Sequence, residues 1–386
     1  MPSTRNHAWI NPYRAKTKGT NKLAYNHIAT KSPEHVFAYD GQYILNPGIP
    51  SNRDYICKIV NDIVTRYDID GLHIDDYFYP YPVKGQKIPD WREYQQFGKG
   101  FTNIGDWRRN NVNLFIKQLS NTIHTAKPWV KFGVSPFGIY RNARTASNGS
   151  KTRGLQNYDD LYADVIKWIN EGWVDYCVPQ IYWQIGHPTA DYKELVKWWN
   201  NYAGNRPLYI GEDIERTVKY ADPKNPLSHQ QPAKWLLKDQ AKNVKGTVLW
   251  YAKMAVDNPG NYELKLRYDY WSTPALQPLM PFIDNKAPRK PKKIKITHID
   301  NEYYISWKAP KGKGWKDKAN KYVIYCFDKN ETINLEDPSH ILAITYNTTY
   351  KLPTLKSNPK KVIIITALDR MENESVGKKK KITLRY

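Results

Sequence analysis

The residues most able to do chemistry in this 386-residue chain lie in one run, Tyr67-Asp-Ile-Asp-Gly-Leu-His-Ile-Asp-Asp-Tyr-Phe-Tyr-Pro-Tyr-Pro82. Its pattern predicts a strand that ends in two adjacent acids, Asp75 and Asp76, and continues into an aromatic loop carrying Tyr77 and Tyr79. Successive side chains on a strand point to opposite faces, so one carboxylate faces a ligand while its neighbour orients it or anchors the loop. His73 shares the parity of Asp75 and lines the same interior. Carboxylates beside aromatic rings suit a sugar. Glycosidic cleavage passes through an oxocarbenium-like cation that an ionised acid stabilises or attacks, and the C–H faces of a pyranose stack on rings. Such cleavage needs a second acid about 5–10 Å away. Among the other strand ends only LYIGEDIER supplies carboxylates, at Glu212, Asp213 and Glu215. Glu212 is the chosen partner, being first after a glycine that lets the strand end approach a ligand; a salt bridge to Arg216 or Lys219 is its structural alternative.

Further rim positions follow the first and fourth strands: Asn11, Tyr13 and Arg14, then Gln180, Tyr182 and Trp183. Amides beside aromatics fit sugar hydroxyls, and an arginine meets a carboxylated sugar such as muramic acid. Each is weighed against a purely structural role. Trp9 and Trp250, flanked by apolar strand residues, read as core. The nine histidines show no HxxxH or His-Cys spacing, and Cys57, Cys177 and Cys326 sit far apart in apolar runs, so neither a metal site nor a disulfide framework is expected. No GxGxxG, GxxxxGKS or GxSxG follows a strand, which argues against a nucleotide cofactor or a serine hydrolase. No cofactor is expected.

These residues need elements to hold them. Strands are expected at 7–13, 71–77, 131–138, 175–183, 207–213 and 246–252, with helical stripes between them. The stripes fall at Ile56 to Val64, at Val112 to Ile123, from Leu161 to Ile169 closed by Gly172, and over 191–202 and 232–242. Segments after strand ends are long and aromatic or polar, whereas those leading into strands are short. That inequality marks a β/α barrel of the TIM type with its site at the carboxyl ends of the strands, over residues 1–285. A proline-rich stretch then ends the rhythm, and residues 286–386 alternate as seven short strands of a β-sandwich.

The chain carries a formal net charge of +22, more than half of it after residue 286. Such charge favours anionic partners, but no nucleic-acid motif accompanies it and a solvated lysine-rich face is the simpler reading. Contact of the lysine-rich tail, Lys378 to Lys381, with anionic wall polymers is a further possibility. No stretch is long and apolar enough to span a bilayer, and the start lacks a signal-peptide core.

The segments HAWINPYRA, YILNPGIPSNRDYICKIVNDIVTRYDIDGLHIDDYFYPYP, FGVSPFGIYRN, DYCVPQIYW and LYIGED resemble the bacterial glycosyl-hydrolase-like family ten, distinct from the xylanase family sharing its number. The resemblance covers nearly all of residues 7–280. It implies a (β/α)8 barrel, hydrolysis of glycosidic bonds, cell-wall glycan strands or other polysaccharides as substrate, and an exported or envelope location. Gly71, His73 and Asp75 are also similar to the Gly-x-Arg-x-Asp of α-amylase-like barrels, whose Asp is the nucleophile, which favours Asp75 over Asp76. Family members open with two further β/α units before the HAWxNPYR string, so six units are expected here, with the 7–13 strand as an open edge. A non-catalytic glycan-binding barrel is the alternative function. The final hundred residues, with Trp307 in their second strand, Tyr322 and Tyr325 in the third and a TALDR turn near the end, resemble a fibronectin type III module; Trp307 is expected in its core.

Overall fold

Short apolar runs separated by amphipathic segments have to stack as a sheet covered by helices, and the computed structural model, which describes residues 6–19, 22–353 and 360–383, has that arrangement. In chain order the first strands are β1 (His7–Ile10), β2 (Arg14–Lys16), β3 (Val36–Tyr39), β4 (Gln42–Leu45), β5 (Gly71–Asp75), β6 (Lys131–Ser135), β7 (Tyr176–Cys177), β8 (Leu208–Asp213), β9 (Ala221–Asp222), β10 (Asn225–His229) and β11 (Val244–Trp250). Six of them form one parallel sheet in the order β1-β5-β6-β7-β8-β11. β1 stands at one edge and β11 at the other.

The strands are shorter than the sequence patterns. Prolines 12, 136 and 179 cut three of them, because proline has no N–H to give to a ladder. Past Pro179 a single residue, Gln180, resumes bridging to Phe137 and Gly211. Helices Pro50–Arg66, Ile104–Ala126, Val165–Asn170, Tyr192–Tyr202 and Gln231–Asp239 lie between the strands in sequence. The stripe Val112, Phe115, Ile116, Leu119 and Ile123 is fully buried, as its spacing requires. The helix expected from Leu161 starts instead at Val165. Asp164 caps it there, accepting from the Lys167 N–H, and Gly172 follows its end with φ 70°.

Sequence patterning missed a three-stranded antiparallel sheet, β2-β4-β3, inserted directly after β1. Its hairpin turns on Asp40 and Gly41, both at positive φ (49° and 72°), between the paired Tyr39 and Gln42. The β9–β10 hairpin was missed as well.

The chain divides into two compact units, one spanning Asn6–Glu263 and the other holding the described residues from Leu264 onward. The second unit is a β-sandwich. It comprises β12 (Lys292–Ile299), β13 (Glu302–Lys308), β14 (Lys321–Asp328), β15 (Ile341–Thr345), β16 (Thr349–Lys351), β17 (Lys360–Leu368) and β18 (Lys378–Thr383), as sheets β12-β13-β16 and β15-β14-β17-β18. β14 and β17 are apolar on both faces because two clusters bury them. Trp307, Ile324 and Ile363 lie in one, and Val323, Tyr325 and Ile364 in the other. Trp307 is core, edge-on to Tyr322. The cysteines are unbridged, Cys57 and Cys177 buried and Cys326 half-buried. No helix among the described residues is long and apolar enough to cross a membrane.

Candidate active site

Leu72 and Ile74 of β5 are fully buried, so strand alternation sends His73 and Asp75 to the opposite face of the sheet. Asp75 ends the strand in register with Ser135 of β6 and is 9% exposed. Burial first, then the charge of Asp76, pushes its carboxyl up to about 7, against the opposing pull of Arg14 and a hydrogen bond from Trp9. Asp76 is 1% exposed, and burial raises it to about 6 in spite of hydrogen bonds from the Tyr81 hydroxyl and Gln180. Gln180 Nε2 also donates to the Ser135 carbonyl at 2.8 Å. One acid thus reaches the rim, and its neighbour ties down the loop.

Rings enclose the pair. The Arg14 guanidinium lies 3.7 Å from the centre of the Tyr77 ring, and Tyr77 meets Tyr81 at 6.1 Å. Tyr81 touches Phe137, which stands edge-on to Trp183 at 5.3 Å. Burial raises the Tyr182 hydroxyl, and the charges of Asp75, Asp76 and Asp213 raise it further, so this one hydroxyl senses three carboxylates. On the same face, below Asp75, the Tyr176 hydroxyl hydrogen-bonds His7 Nδ1 (2.8 Å) and His73 Nδ1 (3.0 Å), and His73 Nε2 meets Ser135 Oγ at 2.7 Å. Burial first, then His7, lowers His73 to about 3, so its ring is neutral with both nitrogens engaged. Tyr176 fits there because residue 133 is glycine; a Cβ at that position would collide with its ring.

Several sequence-chosen residues stand elsewhere. Glu212 shares the parity of Leu208 and Ile210, which are fully buried, and points to the same side. Its carboxylate takes Lys238 Nζ at 2.7 Å, the Tyr192 hydroxyl, and the Tyr262 hydroxyl at 3.3 Å. Burial favours the neutral acid, but Lys238 and Lys234 outweigh it and hold Glu212 below the ordinary glutamate value. An ionised, saturated carboxylate has no proton to give, so the choice of Glu212 as partner acid is corrected. Its neighbour Asp213 has the opposite parity, and its charge acts on the Tyr182 hydroxyl while its carboxylate caps the next helix by accepting from the Arg216 N–H at 3.0 Å.

Tyr13 and Tyr79 are corrected likewise, since both are fully buried. Tyr13 packs on Phe115 at 4.9 Å, and the Tyr79 hydroxyl accepts from Asn111 at 3.2 Å. The Asn11 Oδ1 is buried with no hydrogen-bond partner among the described residues. Trp9 and Trp250 reverse their expected burial, being 50% and 40% exposed and edge-on to each other at 5.4 Å. They belong to the two edge strands, which among the described residues pair with no further strand. Parity held the missing signal: Trp9 is in register with His73, and in parallel ladders paired residues share a face. Among the described residues no group of three or more His, Cys, Asp or Glu is placed to hold a metal ion.

Comparison with known proteins agrees with this chemistry. The family described as Glycosyl hydrolase-like 10 matches residues 3–234. Glycosyl hydrolase YngK of Bacillus subtilis (strain 168) is 43% identical over 385 residues, covering 97% of this chain and 74% of that protein. Glycosyl hydrolase DigH of Escherichia coli (strain K12) is 40% identical over 217 residues, covering 53% of this chain and 49% of that protein. Among solved structures, the PgaB (BpsB) glycoside hydrolase domain from Bordetella bronchiseptica is 9% identical with a TM-score of 0.42, covering 67% of this chain and 73% of that one, a likeness too distant to argue from. With more than half of its length inside the family match and a relative 43% identical along nearly all of it, the chain belongs to the glycosyl hydrolase-like 10 family of glycoside hydrolases.

Proposed function

We propose that the chain cleaves O-glycosidic bonds within a polysaccharide, bacterial cell-wall glycan foremost, with Asp75 donating the proton to the leaving oxygen. The observation that carries this reading is a carboxyl at a strand end, among aromatic rings and raised to about 7, which keeps a large protonated fraction near neutral pH. Asp76, held by Tyr81 and Gln180, fixes the approach of the loop, and its charge adds to the burial that favours the Asp75 proton. Asp213, whose charge acts on the same Tyr182 hydroxyl as those of Asp75 and Asp76, is the second carboxylate of this reading, steadying the oxocarbenium-like charge or activating water. Trp9, Trp183 and Tyr77 offer faces for pyranose stacking, and Arg14 suits a carboxylated sugar such as muramic acid.

In the same reading the six-stranded sheet is part of a TIM-type barrel, and the sandwich is a fibronectin type III-like module whose basic strand β18 contacts anionic wall polymers. The protein acts outside the cytoplasm, at the envelope.

The test is release of reducing ends from purified peptidoglycan glycan strands and a polysaccharide panel by the wild-type chain and Asp75→Asn. The expected result is turnover by the wild type and a loss of at least about a hundredfold in the variant. Equal rates remove Asp75 from the mechanism, and inactivity of the wild type on every polymer overturns the substrate class.

A further inference from the structure

The loop after β5 borders a second cavity that the proposed chemistry leaves unused. It has a volume of about 490 Å³, inside the range of about 300–1,000 Å³ for small-molecule sites. Trp91 and Tyr162 contribute aromatic faces, Pro82 apolar surface, and Lys87, Arg108 and Asp160 polar groups. Trp91 is 58% exposed, a large ring that folding has left in water. Tyr162 has φ 57°, a left-handed conformation that a bulky side chain adopts only when its surroundings enforce it.

Those surroundings are visible. Arg108 Nη1 donates to the Tyr162 hydroxyl at 2.8 Å, and its Nε and Nη2 grip the buried Asp90 at 2.9 and 2.5 Å. On the loop side the Val83 N–H donates to the Tyr39 hydroxyl at 2.9 Å, and the Asp40 N–H to Gln86 Oε1 at 3.2 Å. The walls are therefore set before any ligand arrives, and order imposed in advance lowers the entropy lost on binding.

Tyr39 and Pro80 line this cavity and also a smaller one against Arg14, Tyr77 and Tyr81, and of these Arg14 acts on Asp75 and Tyr81 holds Asp76. We propose that the cavity is a distal glycan subsite, taking a neutral pyranose of the polysaccharide chain that is cut at Asp75. The aromatic faces suit sugar C–H surfaces. The charge of Arg108 is balanced by Asp90, and Lys87 and Asp160, whose Oδ2 also accepts from the Gln156 N–H, add one cation and one anion, so the lining meets hydroxyls without selecting net charge. The identity of the polymer rests on the proposed function; the existence of the subsite does not.

The experiment uses the full chain carrying Asp75→Asn to arrest turnover, titrated with chitotriose, chitohexaose and purified peptidoglycan glycan strands, with and without Trp91→Ala. Circular dichroism melting checks that the variant is folded. Removal of the ring is expected to weaken binding of at least one long chain tenfold or more, about 1.4 kcal/mol, and to leave chitotriose binding unchanged. In the active chain Trp91→Ala raises KM for long substrates and spares kcat, and Lys87→Ala acts in the same direction more weakly. Unchanged affinity for long chains, an equal loss for the trisaccharide, or no binding of any probe overturns the subsite. Full activity of Asp75→Asn sinks the acid role alone, because the Trp91 comparison is then read from KM for long against short substrates and stands without it.

Discussion

Asp75 is a carboxyl whose surroundings favour its proton, and that single fact sets both rate and stability. If it is the acid, activity falls as pH rises through about 7, and a kcat/KM profile shows that alkaline limb. A nucleophilic Asp75 gives the opposite slope. Trp9 donates to the ionised form, so Trp9→Phe moves the limb upward, by about one unit at most. For stability, the folded value of Asp75 lies above the unfolded one. Its contribution is fully present below the ordinary aspartate value of 3.8 and is lost as pH rises through about 7. Asp75→Asn is therefore expected to be more stable than wild type at pH 8, by at most about 4 kcal/mol, the worth of roughly three pKa units, and to lose that advantage at pH 4. Urea unfolding at the two pH values measures it. A variant that gains stability while losing turnover is what a strained catalytic group produces.

Among the elements, β8 shows how one residue of parity separates architecture from chemistry. Glu212 and Asp213 are neighbours, yet one is buried with Lys238 and the charge of the other acts on the Tyr182 hydroxyl. Glu212→Gln is expected to cost about 3–5 kcal/mol by leaving the Lys238 charge buried without its partner, while the molecules that remain folded keep their kcat. A fall in kcat at unchanged stability would return Glu212 to the mechanism. The acid pair on β5 and its aromatic loop were legible in the sequence because they are contiguous, and six parallel strands were legible because their apolar runs are separated by long amphipathic stretches. Glu212 was misread because a glycine outweighed alternation. Tyr13 and Tyr79 were misread because loop residues have no period from which burial follows. The β3–β4 hairpin was missed although Asp40-Gly41, between FAY and QYI, is a strong two-residue turn signal. Its strands have only four residues each, too few for alternation to stand out.

At the scale of the whole molecule, each of the two units has a hydrophobic core of its own. Calorimetry is expected to resolve two unfolding transitions, and Glu212→Gln should lower only one; a single transition shifting as a whole would contradict separate cores. The basic strand β18 carries Lys378 to Lys381 on exposed positions. Retention on an anionic wall polymer through them is expected to fade over a roughly tenfold rise in ionic strength and to drop when the four lysines become glutamine. Within the first unit, the flanking strands β1 and β11 make no ladder to each other among the described residues and meet through the rings of Trp9 and Trp250. An edge-to-face pair is worth about 1 kcal/mol, far less than a zipped row of amides. That line is therefore the unit's softest join, and hydrogen–deuterium exchange is expected to be fastest along it.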